Sequence, residues 1–477
     1  MVKFITKISP LALFYPLTQA REFKSAGFEY FSSYAHMATL QKLEFDFVKH
    51  FKVELYSEKR WKKGAGKNKQ VLDEDEANEI YEKSMKFLEK IDELHQPRND
   101  THVQYDSSYN KLIANPINQY KLIDRMIEGW PQAVSEIKEY APNAEKLYQS
   151  MVDRNGGLPG AKDLDGSADA LIRLQDTYLL NTKDFASGNV LGSKATTSLS
   201  TENCFHIGRQ AYIKEDFYHT ILWMREAYRK FYEDNDQSHD IVDIMDHLSY
   251  SLSQYGLKKL AFQVNLKAFE IIDESPKGNY DEEVVNRILQ NKKYYEHNYG
   301  ENPTFEVNFL EANIPKPSRQ YRFDEFETYE DLCRQTNIYD RMPKDQKDKL
   351  ICKYSTQNNN PRLILKPAKM EYIRMNPDFV FFHDVVSHEE TEILKEMAKP
   401  KLQRATIQNP RTGNLEFAEY RVSKHAWLGP DSGETVANIF SRVMDLIGLD
   451  VRGLASEDLQ IGDYLGLGGF RSGHLGI

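Results

Sequence analysis

Leu40, Leu43, Phe47, Phe51 and Leu55 recur at spacings of three and four, with Lys, Glu and Asp between them. That period predicts one long amphipathic helix over residues 30–62. The stripe constrains the fold strongly, because a helix with one apolar edge needs a partner, either a neighbouring helix or a second copy of the chain. The run Gly64-Ala65-Gly66-Lys67-Asn68-Lys69 breaks it. A second helix is expected over 74–95, with Tyr81, Met85, Leu88 and Ile91 on one face and Pro97 beyond its end. A third is expected over 116–137, interrupted near Gly129-Trp130-Pro131. An ordinary helical bundle satisfies this pattern. Dimerisation through residues 21–150 is the sharper expectation, and periodicity alone does not choose between them.

After Gly156-Gly157-Leu158-Pro159-Gly160 a new helical unit is expected over 155–275, with helices at 166–181, 201–214, 217–234, 241–255 and 258–273. Ile207-Gly208, Ala211-Tyr212, Phe217-Tyr218 and Ala227 resemble the alternation of small and aromatic residues in a tetratricopeptide repeat, and Leu248, Tyr250, Gly256 and Ala261 repeat it loosely. Small residues let paired helices cross closely while large ones fill the gap opposite. One to two and a half such repeats build a short superhelix whose concave face suits a peptide. Most aromatic residues in such repeats are core, so a single Tyr here is more often packing than ligand contact.

From about 276 to 330 the chain is expected to be a linker, turning polar and Pro-bearing at Asn302-Pro303 and Pro315-Lys316-Pro317. Beyond it the pattern changes class. Leu363-Ile364-Leu365, Phe379-Val380-Phe381-Phe382 and Gln460-Ile461-Gly462-Asp463-Tyr464 read as short strands, with a helix from Ser387 to Met397 among them. The whole is mainly α, ending in an α+β or β-sandwich domain over 331–477. His388-Glu389-Glu390 has the spacing of a metal motif, but it falls in a first helical turn, where acids suit the dipole, and it is set aside as a decoy.

The net charge of −10 argues against a nucleic-acid backbone as main partner. No stretch approaches the roughly 20 apolar residues that span a bilayer. Lys3 and Lys7 precede an apolar run from Ile8 to Leu17, and Thr18-Gln19-Ala20 offers small residues for cleavage, so residues 1–20 are read as a secretory signal. Three cysteines are too few for a disulfide scaffold. In an oxidising compartment Cys333 and Cys352 are expected to pair, with Cys204 left as a buried thiol. The sequon Asn99-Asp100-Thr101 fits glycosylation in the same compartment.

Four passages then carry a resemblance. They are Leu171-Ile172-Arg173-Leu174-Gln175-Asp176-Thr177-Tyr178; Asp216-Phe217-Tyr218-His219-Thr220-Ile221-Leu222-Trp223-Met224; the Cys333–Cys352 segment with Asn360-Pro361-Arg362 and Leu365-Lys366-Pro367-Ala368-Lys369; and Ala398-Lys399-Pro400, Arg404-Ala405-Thr406, Tyr420-Arg421-Val422-Ser423-Lys424 and Gly448-Leu449-Asp450-Val451. In this order they resemble the α subunits of the collagen prolyl 4-hydroxylases. The resemblance implies a dimerising N-terminal domain and a repeat domain that binds proline-rich, collagen-like peptide as a polyproline II helix. A stiff ligand of that kind loses little entropy on docking and offers flat rings to aromatic faces. By position Tyr178, Asp216, Tyr218 and Tyr250 match groove residues of the family. Ser253 stands where the family has another groove tyrosine, a role Tyr255 is placed to take, and Phe217 replaces a Tyr. Protein disulfide isomerase as β subunit and the endoplasmic reticulum lumen are implied as partner and location.

The resemblance also implies a double-stranded β-helix (jelly-roll) dioxygenase domain using Fe(II), 2-oxoglutarate and ascorbate to hydroxylate proline in X-Pro-Gly sequences. The family holds iron with His-x-Asp and a distant second His, and binds 2-oxoglutarate with a Lys beyond it. His474 falls at the first ligand position, but Gly476 stands where the Asp belongs, and no second His or Lys follows. The similarity fades near Phe470. Residues 331–477 are therefore expected to be a truncated dioxygenase domain that does not retain iron or turn over by itself, since one imidazole does not hold iron. Two readings follow: an α subunit whose end departs from the family's through an error of record, or a non-catalytic module that dimerises and binds proline-rich peptide as a decoy subunit.

Overall fold

The computed structural model describes residues 29–64, 74–95, 112–276, 278–300, 304–305, 307–317, 325–334, 342–408, 411–417, 423–452 and 456–464. Residues 1–20, Asn99 and His474 lie outside them, so the signal, sequon and first-ligand readings concern parts of the chain without a structural description here.

The leading helices are α1 (Tyr34–Gly64), α2 (Glu74–His95), α3 (Pro116–Asp124), α4 (Trp130–Tyr140) and α5 (Ala144–Asn155). The stripe of α1 is wholly covered from within the chain: Leu40, Phe47, Phe51 and Leu55 are buried in one cluster with residues of α2, α4 and α5. The Phe47 ring lies 4.9 Å from Trp130 and 5.0 Å from Tyr148. The stripe's partner is therefore a neighbouring helix, and it no longer argues for a second copy of the chain. The interruption expected near Gly129 is a π-helical turn over Arg125–Gly129.

Gly156, at φ 83°, closes α5 in a left-handed conformation that a side chain would resist. Next come α6 (Ala161–Tyr178), the short α7 (Thr182–Ala186) and a two-residue hairpin, β1 (Asn189–Val190) with β2 (Ser193–Lys194). The helical pairs follow as α8 (Thr201–Ile213), α9 (Phe217–Glu233), α10 (Ile241–Gln254), α11 (Lys258–Glu274) and α12 (Glu282–Tyr299). Their starts are set by polar caps: Ser200 accepts from the Asn203 amide, Asp216 from His219, and Asp240 from Val242 and Asp243. Gly208 is the small residue at the first crossing, where a Cβ would sit 3.1 Å from Met224 Cε and 3.2 Å from Trp223 Cβ.

The linker expected over 276–330 is in large part structured. Helix α12 packs on α11 with Ile288 and Tyr295 buried, the latter stacked 5.4 Å from Phe262. Residues 307–317 then return across the repeat, sinking Phe309 and Ile314 into the main core. Polarity and proline made this stretch look like linker, but a few apolar residues suffice to anchor it. One core runs from Tyr30 to Ile314 and crosses the boundary expected near residue 150.

Helix α13 (Glu325–Arg334) leads to a smaller α+β part. Its elements are α14 (Lys344–Lys347), β3 (Cys352–Ser355), α15 (Pro361–Ile364), β4 (Ala368–Arg374), β5 (Phe379–His383), α16 (His388–Ala398), β6 (Gln403–Arg404), β7 (Thr406–Gln408), β8 (Leu415–Phe417), β9 (Lys424–Leu428), α17 (Glu434–Ile447) and β10 (Leu459–Asp463). The strands form antiparallel sheets in the orders β3-β4-β5, β10-β9-β6 and β7-β8. Helices α16 and α17 cover the second of these, packing Leu394, Val436 and Ile439 against Ile461 of β10 and its neighbours. This part meets the helical body at the start of α1. There Asp463 accepts from the Tyr34 and Ala35 amides and the Ser33 hydroxyl, and Arg404 pairs with Glu29 at 2.8 Å.

Cys333 and Cys352 are separate thiols in this structure, where the expected disulfide between them is not formed. Cys333 is the penultimate residue of α13, whose Arg334 is pinned to the Thr177 carbonyl of α6, whereas Cys352 opens β3 opposite Glu371 on an exposed sheet. Cys204 is buried as expected, and burial pushes its thiol well above the ordinary range.

Candidate functional site

Helices α6, α9 and α10 bring most of the candidate groove residues together. Phe217 and Tyr218 are consecutive in the first turn of α9, so their rings diverge into two aromatic sets. In one, Phe217 lies 6.1 Å from Tyr250 and 6.4 Å from Tyr212, and Tyr212 is 5.5 Å from Tyr250 in edge-to-face contact. In the other, Tyr218 lies 6.3 Å from Tyr255, the C-cap residue of α10. Tyr178 is the last residue of α6, half-buried against the main core. Ser253 is half-buried one turn beyond Tyr250. Tyr250 is 45 % exposed, so its ring is open to a ligand as well as to its neighbours.

Asp216 does two jobs. It caps α9 and also binds His219 Nδ1 at 2.7 Å. His219 Nε2 in turn lies 3.4 Å from Asp176 Oδ1, so the imidazole sits between two carboxylates at the foot of the tyrosines. Burial pushes the Asp216 carboxyl up, but bonds from His219 and the charge of Lys316 outweigh it and hold it below the usual range. Burial raises the Tyr212, Tyr218 and Tyr255 phenols, Tyr212 to about 12, with Tyr250 adding to it at Tyr212, Tyr255 at Tyr218 and the Asp216 charge at Tyr255. These tyrosines are therefore neutral hydroxyl donors at physiological pH.

The scaffold beneath is rigid. Trp223, fully buried on α9, donates to Gln175 Oε1 of α6 at 2.9 Å, and Ser249 of α10 donates to the Ala261 carbonyl of α11 at 2.9 Å. Flat phenol faces, hydroxyl donors and flanking carboxylates form a surface suited to apolar rings and carbonyl acceptors. Sequence reasoning placed Tyr178, Asp216, Tyr218 and Tyr250, but did not single out Asp176, His219 or Lys316. The signal for the first two was present, since both lie inside the passages that carried the resemblance.

Among the described residues no group of three or more His, Cys, Asp or Glu could hold a metal ion. His388 stands in the first turn of α16, where Ser387 and Glu390 form a capping box and Glu390 pairs with Arg442 at 2.8 Å, a structural role for that acidic turn. No described helix is long and apolar enough to cross a membrane.

Paired helices crossing at small residues make the central region a tetratricopeptide-like repeat. A family model described as "Prolyl 4-Hydroxylase alpha-subunit, N-terminal region" matches residues 74–192, and one described as "Prolyl 4-hydroxylase peptide-substrate-binding domain" matches residues 201–298. The chain is 33 % identical to prolyl 4-hydroxylase subunit alpha-1 of Gallus gallus over 441 residues, 92 % of this chain and 78 % of that one. Against the alpha-1 subunit of Caenorhabditis elegans it is 34 % identical over 396 residues, 81 % and 66 % of the two chains, and against that of Bos taurus 34 % over 358 residues, 75 % and 65 %. The chain belongs to the family of prolyl 4-hydroxylase α subunits. Its match spans 65 % of the length of the cattle and human relatives.

Proposed function

We propose that the chain binds proline-rich, collagen-like peptide in polyproline II form on the face built by Tyr178, Asp216, Tyr218 and Tyr250, as part of a prolyl 4-hydroxylase. The observation that carries this reading is the pair of adjacent aromatic sets, Phe217–Tyr250–Tyr212 and Tyr218–Tyr255, on one rigid repeat. A polyproline II ligand has three residues per turn and unbonded carbonyls. Tyrosine faces accept its rings while neutral phenol hydroxyls donate to its carbonyls. Tyr255 takes the aromatic role left open at Ser253, since its ring is the one beside Tyr218.

The reaction served is hydroxylation of proline in X-Pro-Gly sequences with Fe(II), 2-oxoglutarate and ascorbate, in the lumen of the endoplasmic reticulum and alongside protein disulfide isomerase. Family membership supports this part of the reading. The sheet β10-β9-β6 is then the beginning of a double-stranded β-helix. The described residues supply no group of three or more His, Cys, Asp or Glu that could hold the iron. The test is incubation of the purified chain, alone and with protein disulfide isomerase, with a (Pro-Pro-Gly)n peptide, Fe(II), ascorbate and labelled 2-oxoglutarate. Binding of the peptide in preference to a Gly-Ser peptide of equal length supports the groove. Peptide-dependent release of carbon dioxide supports the reaction. Equal affinity for both peptides would remove the proposal.

A further inference from the structure

The return segment after α12 ends on the proposed peptide face, and it has the chemistry of the ligand. Its stem is fixed. Phe309 is fully buried edge-on to Tyr228 at 5.1 Å, its amide donates to Gln263 Oε1 at 2.7 Å, Arg225 donates to the Ala312 carbonyl at 2.8 Å, and Ile314 is buried. The tip, Pro315-Lys316-Pro317, is exposed and has no regular secondary structure. Among the described residues two polar contacts join it to the face. Tyr255 donates its hydroxyl to the Pro315 carbonyl at 2.5 Å, and Lys316 Nζ reaches the buried Asp176 carboxylate at 2.8 Å.

Those contacts use the site's own groups. The Tyr255 ring belongs to the aromatic set with Tyr218, and Asp176 shares His219 with Asp216. A proline carbonyl accepting from a groove tyrosine is the contact that a bound proline-rich peptide would make. We propose that Pro315-Lys316-Pro317 is an intramolecular ligand that occupies the Tyr255 and Asp176 end of the face and that a substrate peptide displaces. This rests on the peptide-binding reading above and adds to it a built-in competitor. The division between a buried stem and an exposed tip allows the exchange, because release breaks the two tip contacts while Phe309 and Ile314 stay in place. The protein's apparent affinity is then its intrinsic affinity reduced by the fraction of chains whose tip is already free.

The test uses the full chain and a (Pro-Pro-Gly)5 peptide. Lys316→Glu places a carboxylate against Asp176 and Asp216 and should free the tip. Because the tip lies outside the core, the fold is expected to persist, which circular dichroism checks. Titration calorimetry is expected to show tighter binding by about five- to tenfold, the gain when a site that is mostly occupied becomes mostly free. A spin label at Pro317→Cys, with Cys333 and Cys352 replaced by Ser, should gain mobility when peptide saturates the otherwise unaltered chain. Equal or weaker binding by Lys316→Glu, or a label indifferent to saturating peptide, overturns the proposal while leaving the groove reading intact. Absence of binding by both proteins removes the groove reading and this inference together.

Discussion

Replacing Glu44 with Gln should loosen the N-terminal bundle in a pH-dependent way. Glu44 lies on α1 and is completely buried. Its carboxylate accepts from Arg125 Nε at 2.7 Å and Nη2 at 2.8 Å, from His95 Nε2 at 3.0 Å and from Trp130 Nε1 at 3.2 Å. Burial pushes this carboxyl up, but the Arg125 guanidinium and the bonds from Arg125 and His95 outweigh burial and hold it at about 2, against 4.5 for an ordinary Glu. At about 1.4 kcal/mol per pH unit, that displacement contributes about 3 kcal/mol at neutral pH. Removing one partner of a buried ion pair independently suggests a loss of about 3–5 kcal/mol, because Arg125 stays buried without its counter-charge.

A depressed carboxylate contributes its full stabilisation above pH 4.5 and loses it as pH falls toward 2. The unaltered protein should therefore weaken over that window, and Glu44→Gln should lack this part of the slope. The assay is hydrogen exchange of peptides covering 40–48 and 117–130, which reads the opening of this bundle locally. At pH 7 the variant should lose about a hundredfold in protection, the equivalent of some 3 kcal/mol. A loss under about tenfold, or an unchanged acid slope, would refute the reasoning, since ~1.4 kcal/mol is the worth of a decade.

Gly208→Ala should lower stability by about 1 kcal/mol and Gly208→Leu by several, since a Cβ already meets Met224 and Trp223 at 3.1–3.2 Å; thermal denaturation followed by near-ultraviolet circular dichroism checks both. His239 titrates in the opposite sense to Glu44. Burial disfavours its charge, but bonds from Asp243 and Glu202 prevail and hold it up at about 9, against 6.5 for an ordinary His. Its contribution should be complete below pH 6.5 and vanish as pH rises through 9, so His239→Gln should abolish that alkaline decline in melting temperature.

The helices were legible because their period and caps are local. The sequence spacing marked α1, α2 and α8 to α11 to within a few residues, apart from the start of α1. Spacing could not tell which surface covers the α1 stripe, because an intramolecular helix and a second copy demand the same pattern. It also hid Glu44, which looks like one more charge between stripe residues until the π-helical turn over Arg125–Gly129 brings Arg125 and Trp130 onto it. The groove tyrosines came from matched passages rather than from period, since a packed and a ligand-facing Tyr have the same spacing. Residues 276–330 look like linker in the sequence because α12 buries only Ile288 and Tyr295 among its 18 residues, and the return segment is anchored mainly by Phe309 and Ile314.

The most direct test of the central claim is calorimetric titration of a (Pro-Pro-Gly)5 peptide into the full chain, beside Tyr218→Ala and Tyr250→Ala variants that retain the native circular dichroism. The proposed groove predicts saturable binding by the unaltered protein, weakened at least about fivefold in each variant by the loss of an aromatic anchor worth more than 1 kcal/mol. Binding that both substitutions leave unchanged would place the peptide elsewhere and contradict the proposal that this aromatic face is the protein's working surface.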